Sequence, residues 1–292
     1  MREPFTESTS DPRQLVAVDR PRSSERVLVS FVRRHQAAAL GPVIVAAIGI
    51  GWQYASSTGL ISPFLFPAPT VVARSIGTLF TRGFPLGVTI NEHLVATVLR
   101  VVRGYLVGSS AAIVVGVLIG RSGVLSLAVE PIVTLARSVA VISLLPLSVA
   151  LLGAGELSRT ALIAYAVFWV AVTSTIAAVR EIDPLMIRAG RAQGARGVAL
   201  FRHVALPAAL PRIFPGLKTA VGLSFTVIVA VELLGAQVGL GALIAEAQRL
   251  FRTDMVVAGM VFIGLVGFVL ARALDLIEAR LVPWADNLRQ GQ

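Results

Sequence analysis

The sequence contains no cysteine and only three histidines, which lie far apart at His35, His93 and His203. Without cysteine the chain can form no disulfide, thiolate metal site or cysteine nucleophile. The spacing of the histidines argues against a zinc centre or a histidine-based triad. Lysine is equally scarce, because Lys218 is the single lysine among 26 Lys and Arg residues. No G-x-x-x-x-G-K-[ST] motif surrounds it, so the sequence carries no phosphate-binding loop for ATP.

Charged residues are also few. They make up 14% of the 292 residues, whereas 55% are hydrophobic, and the mean hydropathy is +0.81. A soluble domain of this length could not bury so much apolar surface, so the composition predicts a multispan membrane protein. The formal net charge of +10 is carried by arginines that lie between apolar blocks, with no aromatic-basic platform for nucleic acid. These arginines are better explained by contact with anionic lipid headgroups and by membrane topology.

Runs of about 20 apolar residues can each cross the bilayer. We predict an all-α integral membrane fold with six spans, at about 37–56, 104–120, 128–152, 160–179, 216–235 and 255–274. The third run contains Pro146 and is expected to be kinked there. The domain organisation that follows has these parts: a polar, disordered tail at 1–36, a first transmembrane helix at 37–57, an external segment with an interfacial helix at 58–96, a core of five spans at 97–284 and a second tail at 285–292.

The arginines predict the topology. Seven precede the first span and six more lie between the fourth and fifth spans, in the loop 180–215, while the alternate loops hold fewer. The positive-inside bias therefore places both termini and this loop in the cytoplasm. Arg100 and Arg103 precede the second span on the outer side, where we expect their side chains to reach the membrane surface.

The loop 180–215 has the pattern of two short helices. Asp183 and Pro184 are typical of a helix start, and Gly194 fits the position just past a helix end. A second helical run covers 197–204, and Pro207 restarts the chain into the next span. Such an element could transmit force to the spans from a cytoplasmic partner. Spacing alone, however, favours an ordinary basic cytoplasmic loop.

The stretch "RAGRAQGARGVALFRHVALP" at 188–207 resembles the coupling signature of ABC importer permeases, in which Glu-Ala-Ala is followed at fixed distances by Gly, Ile and Leu-Pro. The matching positions are Arg188, Ala189, Gly190, Gly194, Val204, Leu206 and Pro207. Two residues depart from the pattern, since Arg188 replaces a glutamate and Gly190 replaces an alanine. The first departure reverses a charge at which the family's permeases would contact their ATPase.

The resemblance extends over roughly 60–284. The segments "SLLPLSVALLGAGELSR" at 143–159, "VELLGAQVGLGALI" at 231–244 and "FRTDMVVAG" at 251–259 are similar to the branch that imports nitrate, taurine and alkanesulfonates. The sequence departs from that branch at Ala140 and Val141, where prolines are frequent, and at 151–152, where Trp-Phe is frequent.

This resemblance implies a non-catalytic permease subunit in the cell membrane, paired with a second, identical copy. Two copies of a cytoplasmic ABC ATPase would bind ATP and Mg²⁺, and an external binding protein would deliver a small anionic, organosulfur or nitrogen-containing solute. The chain itself would hold no cofactor, metal or nucleic acid.

Polar residues inside the spans are candidates for the translocation pathway, because a charge at mid-bilayer costs about 2.5–3.5 kcal/mol. The candidates are Ser143, Pro146, Ser148, Ser224, Thr226 and Glu232. Serine and threonine also mediate plain helix packing, and Glu232 could either line an outer gate or pair with an arginine. Glu130 is expected in the first turn of a helix. Arg137 either attracts an anionic substrate or pairs with Glu130.

Two other classes remain open at this stage. A secondary transporter would show inverted repeats or ion-coupling acids, for which Glu232 alone is thin support. An integral-membrane enzyme would need a reactive cluster at membrane depth, and the sequence shows none. Glycines spaced mostly four apart indicate close helix packing, namely Gly104, Gly108, Gly116 and Gly120.

Overall fold

The computed structural model describes residues 43–284 except residue 45, and the regular structure in this part of the chain is entirely helical. The predicted all-α class is confirmed. The helices are α1 at 46–57, α2 at Pro69–Thr81, α3 at Ile90–Gly120, α4 at Gly123–Ser138, α5 at Leu145–Leu152, α6 at Glu156–Arg180, α7 at Pro184–Ala192, α8 at Gly197–Leu200, α9 at Leu206–Gly235, α10 at Leu240–Arg249 and α11 at Thr253–Leu281. The expected tails and the start of the first span lie outside the described residues.

Within the described residues four helical stretches are long and apolar enough to cross a membrane. They are α3, α6, the continuous stretch Gly197–Gly235 that joins α8 to α9, and α11. The pair formed by α4 and Val141–Leu152 adds a fifth if it counts as one span. These stretches contain the second to the sixth predicted spans. Only the later part of the first predicted span is described, and it is helical at 43–44 and from residue 46 onward.

The third span is not a single helix kinked at its proline. Its two halves meet at 82°, and the break falls after Ser138, while Pro146 lies in the first turn of α5. Val139 and Ala140 are extended, with φ of −70° and −64°. The φ of Ala140 is the value that a proline ring imposes. The bend therefore forms here without proline, at a position where the resembling branch often has one.

The start of α4 also differs from expectation. The helix begins at Gly123, where the Ser122 hydroxyl accepts the backbone N–H of Leu125. Glu130 consequently lies two turns inside the helix, and its predicted place in a first turn is wrong. The predicted pairing of Glu130 with Arg137 is not found among the ion pairs of the described residues.

Helices α3 and α6 pack closely because glycines line the contact. A β-carbon on Gly104 would lie 2.6 Å from Ile163 Cβ, and one on Gly108 would lie 2.5 Å from the Ala164 carbonyl oxygen. Gly116 and Gly120 are in the same situation further along α3. Close helix contact at these glycines, as their spacing predicts, is confirmed. It places α6 at the centre of the fold, where it also packs against α9.

The outer faces of the spanning helices are apolar. On α3, for example, Leu106, Val107, Val114 and Leu118 are 59–61% exposed. Exposing such an apolar surface to water is unfavourable, whereas lipid tails or a second membrane chain would cover it. The buried residues on the inner faces include Ile163 and Val167 of α6 and Ile228 of α9.

Candidate functional site

The first helix of the segment that resembles the coupling signature begins and ends where the sequence predicts. The Asp183 carboxylate accepts the backbone N–H of Leu185 at 2.8 Å, and Pro184 opens α7. After the helix, Gly194 adopts a φ of +89°, which lets the Ala195 N–H donate to the Gly190 carbonyl at 3.0 Å. A left-handed residue of this kind ends a helix and turns the chain. The predicted glycine hinge is confirmed as a feature of the backbone.

Gly190 allows α7 to pack against the helix that follows the hinge. A β-carbon at this buried position would lie 2.9 Å from both Leu200 Cδ1 and Val204 Cγ2. The glycine that replaces the family's alanine therefore brings α7 closer to 200–204 than a side chain would allow. Gly190 packs against Leu200 and Val204, and Val204 is itself a position of the signature.

The second short helix is not separate from the following span, contrary to expectation. Residues 197–235 form one continuous helix, and Pro207 lies in the first turn of α9 without breaking it. A π turn, Phe201–Ala205, precedes the proline, and the Leu206 N–H donates to the Phe201 carbonyl. This wider turn accommodates a proline ring that would clash with the preceding carbonyl in a regular α-helix.

Residues 184–207, called the coupling segment below, present an exposed surface with apolar and basic residues. Arg188 and Ala189 are exposed, as are Leu185 at 66% and Met186 at 47%. Leu206 and Pro207 are half-buried at the base of the element. An exposed helix face that combines apolar side chains with charges suits a protein partner rather than the membrane interior.

The six predicted pathway residues fall into two groups. Ser143, Pro146 and Thr226 are exposed and Ser148 is half-buried, whereas Ser224 and Glu232 have no exposed surface. Each of the four hydroxyls donates to a carbonyl of its own helical segment, at distances from 2.6 to 3.4 Å. In a single chain the exposed group could face a pathway directly, while the buried pair lies inside the bundle. Their pathway role stays a prediction.

Glu232 belongs to a buried ionic cluster that the sequence did not reveal as a unit. Arg100 Nη1 donates to Glu232 Oε1 at 2.6 Å, and Arg100 Nε and Nη2 donate to the two Glu156 oxygens, also at 2.6 Å. The Thr97 hydroxyl and the Gly241 N–H donate to Glu232 as well, both at 2.9 Å. Of the two alternatives for Glu232, pairing with an arginine is the one observed. This cluster joins α3, α6, α9 and α10.

One prediction about this region is corrected. Arg100 does not reach the membrane surface, because it is only 5% exposed and fully engaged in the cluster, whereas Arg103 is exposed as expected. Gly239, between α9 and α10, lies against the cluster, and a β-carbon there would fall 2.5 Å from Glu232 Cδ and 2.7 Å from Arg100 Nη1. The spacing of His93, Thr97 and Arg100 on one face of α3 was the sequence signal that could have indicated a shared role.

His93 also contacts the loop that connects α9 and α10. Its Nε2 lies 2.9 Å from the Phe84 carbonyl oxygen and its Nδ1 lies 3.0 Å from the Gly239 nitrogen. The Leu240 N–H donates to the Thr97 hydroxyl at 2.9 Å. Together these contacts hold the connection between α9 and α10 against α3. They lie at the end of the bundle opposite the coupling segment, since α3 runs from Ile90 here to Gly120 beside α7.

The motif at 251–259 has a related task at the start of α11. Asp254, in the first turn, accepts the Ser75 hydroxyl at 2.6 Å and the Arg252 guanidinium at 2.8 Å. Hydrogen bonding to Asp254 raises the pKa of Arg252, which lies just before the span. The hydrogen bond from Ser75 of α2 to Asp254 of α11 ties these two helices together.

Comparison with known proteins agrees with this geometry. The family described as binding-protein-dependent transport system inner membrane component matches residues 108–285. The taurine transport system permease protein of Escherichia coli K12 is 33% identical over 239 residues, covering 82% of this chain and 86% of the relative. A putative aliphatic sulfonates transport permease protein of Bacillus subtilis is 27% identical, with coverages of 84% and 86%. The riboflavin transport system permease protein of Chloroflexus aurantiacus is 30% identical, with coverages of 88% and 94%.

The matched region contains the second part of α3, all the later spans, the glycine-hinged coupling segment and the helices that carry Glu156 and Glu232. The chain belongs to the family of binding-protein-dependent transport system inner membrane components, the multi-pass membrane permeases of ABC importers.

Proposed function

We propose that two copies of this chain form the translocation pathway of an ATP-driven importer. A separate cytoplasmic ATPase docks on the coupling segment, and an external binding protein delivers the solute. The observation that supports this most directly is the exposed helix α7, hinged at Gly194, in which the signature spacing runs from Arg188 to Pro207. ATP and Mg²⁺ bind to the ATPase, and this chain has no catalytic role.

The coupling segment can act as a lever because its parts are rigid. A force on α7 passes through the contact of Gly190 with Leu200 and Val204 into a helix of 39 residues. That helix carries Ser224 in its second half and Glu232 near its far end. Movement of α7 would therefore shift a whole span relative to its neighbours, which is how domain rotation gates a pathway.

The orientation follows from charge. The end of the bundle that holds the coupling segment is rich in arginine, including Arg121, Arg180, Arg188, Arg191 and Arg212. By the positive-inside bias this end is cytoplasmic, and the end with the buried Arg100 cluster faces outward.

The solute is a small anionic molecule that contains sulfur or nitrogen. The relatives named for taurine and aliphatic sulfonates support this class. The riboflavin relative has a comparable identity, so identity at this level does not by itself select the substrate. The four arginines that line the cavity beside α7, Arg121, Arg180, Arg188 and Arg191, favour an anion.

Cross-linking tests the docking role, and the absence of cysteine makes it simple. The variant Ala189→Cys places one thiol on the exposed face of α7, and Asn91→Cys places one at the exposed opposite end. When the permease is co-expressed with its partner ATPase, a heterobifunctional thiol-amine reagent should join Ala189→Cys, but not Asn91→Cys, to the ATPase. Equal cross-linking of both variants, or of neither, would contradict docking at this segment.

A further inference from the structure

A cavity of about 610 Å³ lies at the coupling end of the bundle, between α7 and the ends of α3 and α6. Its charged lining residues are all arginines, and none of the described residues that line it is acidic. The four are Arg121, Arg180, Arg188 and Arg191. The cavity therefore concentrates positive charge and attracts anions.

These arginines are not neutralised within the described part of the chain, where none of the four forms an ion pair. The guanidinium carbon of Arg121 lies 5.6 Å from the centre of the Phe201 ring, which also lines the cavity. Such a cation–π contact holds a guanidinium in place and leaves its in-plane N–H groups able to donate to an anion. The cavity thus offers positioned donors of the kind that phosphate oxygens accept.

The cavity lies at the depth where two membrane spans end. Arg121 directly follows α3, and Arg180 is the last residue of α6. Both helices are long and apolar enough to cross a membrane. In the orientation proposed above, their ends at the coupling segment are cytoplasmic, so the arginines lie among the headgroups of the cytoplasmic leaflet, which contains anionic lipids.

Exposed apolar side chains continue from the cavity onto α3 and α4. Leu118, in the last turn of α3, is 59% exposed, and Val124 and Leu127, in the first two turns of α4, are 81% and 63% exposed. A soluble anion such as a transported solute or a nucleotide offers no partner for these side chains. A phospholipid presents a phosphate and apolar chains side by side, so it matches both parts of this surface.

The cavity uses one face of α7 and leaves another free. The residues of α7 that line it recur at intervals of three or four, which places them on one helix face. They are Pro184, Ile187, Arg188 and Arg191. Met186 and Ala189 border a different cavity. One face of α7 can therefore contact a lipid headgroup while another contacts the ATPase.

We propose that this cavity binds the phosphate of an anionic phospholipid from the cytoplasmic leaflet. The guanidinium groups of Arg121, Arg180 and Arg191 donate to the phosphate oxygens, and the acyl chains lie along the apolar side chains at the ends of α3 and α4. The bound headgroup links α7 to two spans and so braces the coupling segment against the membrane. The inference goes beyond the proposed function and takes only its orientation from it.

The test measures binding of phosphatidylglycerol and phosphatidylcholine to the purified complex of this permease with its ATPase in detergent, with bound lipids counted by native mass spectrometry. The wild type should prefer phosphatidylglycerol. Arg121→Gln and Arg180→Gln, both outside the coupling segment, should each weaken binding of phosphatidylglycerol about fivefold and leave phosphatidylcholine unchanged. Arg121→Lys keeps the charge and should retain most of the affinity. Arg280→Gln removes an exposed arginine outside the cavity and is the matched control.

Loss of the lipid preference in the two cavity variants alone supports the site. The site is refuted if the wild type does not distinguish the two lipids, or if the cavity variants bind phosphatidylglycerol as Arg280→Gln does. Glycerol 3-phosphate, which has the phosphate without the acyl chains, should not displace the lipid at millimolar concentration. Displacement would assign the cavity to a soluble phosphate, and a preference that the permease shows alone but loses in the complex would assign it to the ATPase; either result overturns the lipid site.

The unfolding temperature in lipid-free detergent shows that each variant is folded before lipid is added. Assembly with the ATPase and the rate of ATP hydrolysis are recorded for every variant. If the complex assembles and hydrolyses ATP but shows no preference between the lipids, the lipid site fails while the importer function stands.

Discussion

Arg100 Nη1 and Glu232 Oε1 are 2.6 Å apart, and the two side chains are 6% and 0% exposed. The arginine comes from α3 and the glutamate from the far end of the helix that begins in the coupling segment. Each charge offsets part of the desolvation cost that the other would bear if it were buried alone. Because Arg100 also holds Glu156, three helices are fixed to each other at the end remote from the coupling segment. The long helix that packs against α7 is therefore held at its far end by this ion pair.

Removal of the charge on Glu232 should destabilise the fold. The variant Glu232→Gln leaves Arg100 with a single carboxylate partner in a buried site, and loss of one partner of a buried pair costs roughly 3–5 kcal/mol. We expect a lower unfolding temperature of the purified permease in detergent. Glu246→Gln removes a partner of the exposed Arg249 in a surface pair and should change stability by less than about 1 kcal/mol. Equal effects of the two variants would contradict a stabilising role for the buried pair.

The contact between α3 and α6 should tolerate no side chain at Gly108. A β-carbon there meets the Ala164 carbonyl oxygen at 2.5 Å, and backbone cannot move aside as a flexible side chain can. Gly108→Ala should therefore lower stability by at least about 1 kcal/mol, as overpacking does. Gly77→Ala, at an exposed helical position with open space around it, should be neutral or stabilising. Thermal unfolding compares the two, and a Gly108→Ala variant as stable as Gly77→Ala would overturn the packing argument.

Reversal of charge on the coupling segment should change ATPase coupling without preventing membrane insertion. Arg188 stands where the resembling family has glutamate, so its docking partner must complement a cation. Arg188→Glu should reduce solute-stimulated ATP hydrolysis severalfold at unchanged membrane yield. The control Arg82→Glu reverses an exposed charge near the opposite end. Unaltered uptake and hydrolysis in the Arg188 variant would show that this residue has no part in docking.

Thiol labelling should show that α7 and the start of α3 lie on opposite sides of the membrane. In spheroplasts a membrane-impermeant maleimide should label Asn91→Cys at once, while Ala189→Cys should react only after permeabilisation. The cysteine-free chain provides the unlabelled control. The reverse pattern would invert the predicted topology, and labelling of both thiols in intact spheroplasts would remove the coupling segment from the cytoplasm.

Features that depend on neighbours along the chain were accessible from the sequence. Span positions follow from hydropathy, the start of α7 from Asp183 and Pro184, and its end from Gly194, because caps and left-handed turns are satisfied within a few residues. Close approach of α3 was also predictable, since glycines four apart share one helix face. The coupling residues were identified by their resemblance to a family. The spacing of the family's motif is kept in this chain, although Arg188 and Gly190 replace two of its residues.

The ionic cluster and the cavity were decided by tertiary structure alone. Arg100 is separated from Glu156 by 56 residues and from Glu232 by 132, so no local pattern could show that burial would bring them together. The same holds for Glu130 and Arg137, which local spacing would pair and which instead face a space shared with α6. The sequence by itself determined the helices and the hinge, because these are stabilised by contacts between near neighbours. Which charges meet depended on how the helices pack, because electrostatic partners are chosen by distance in space.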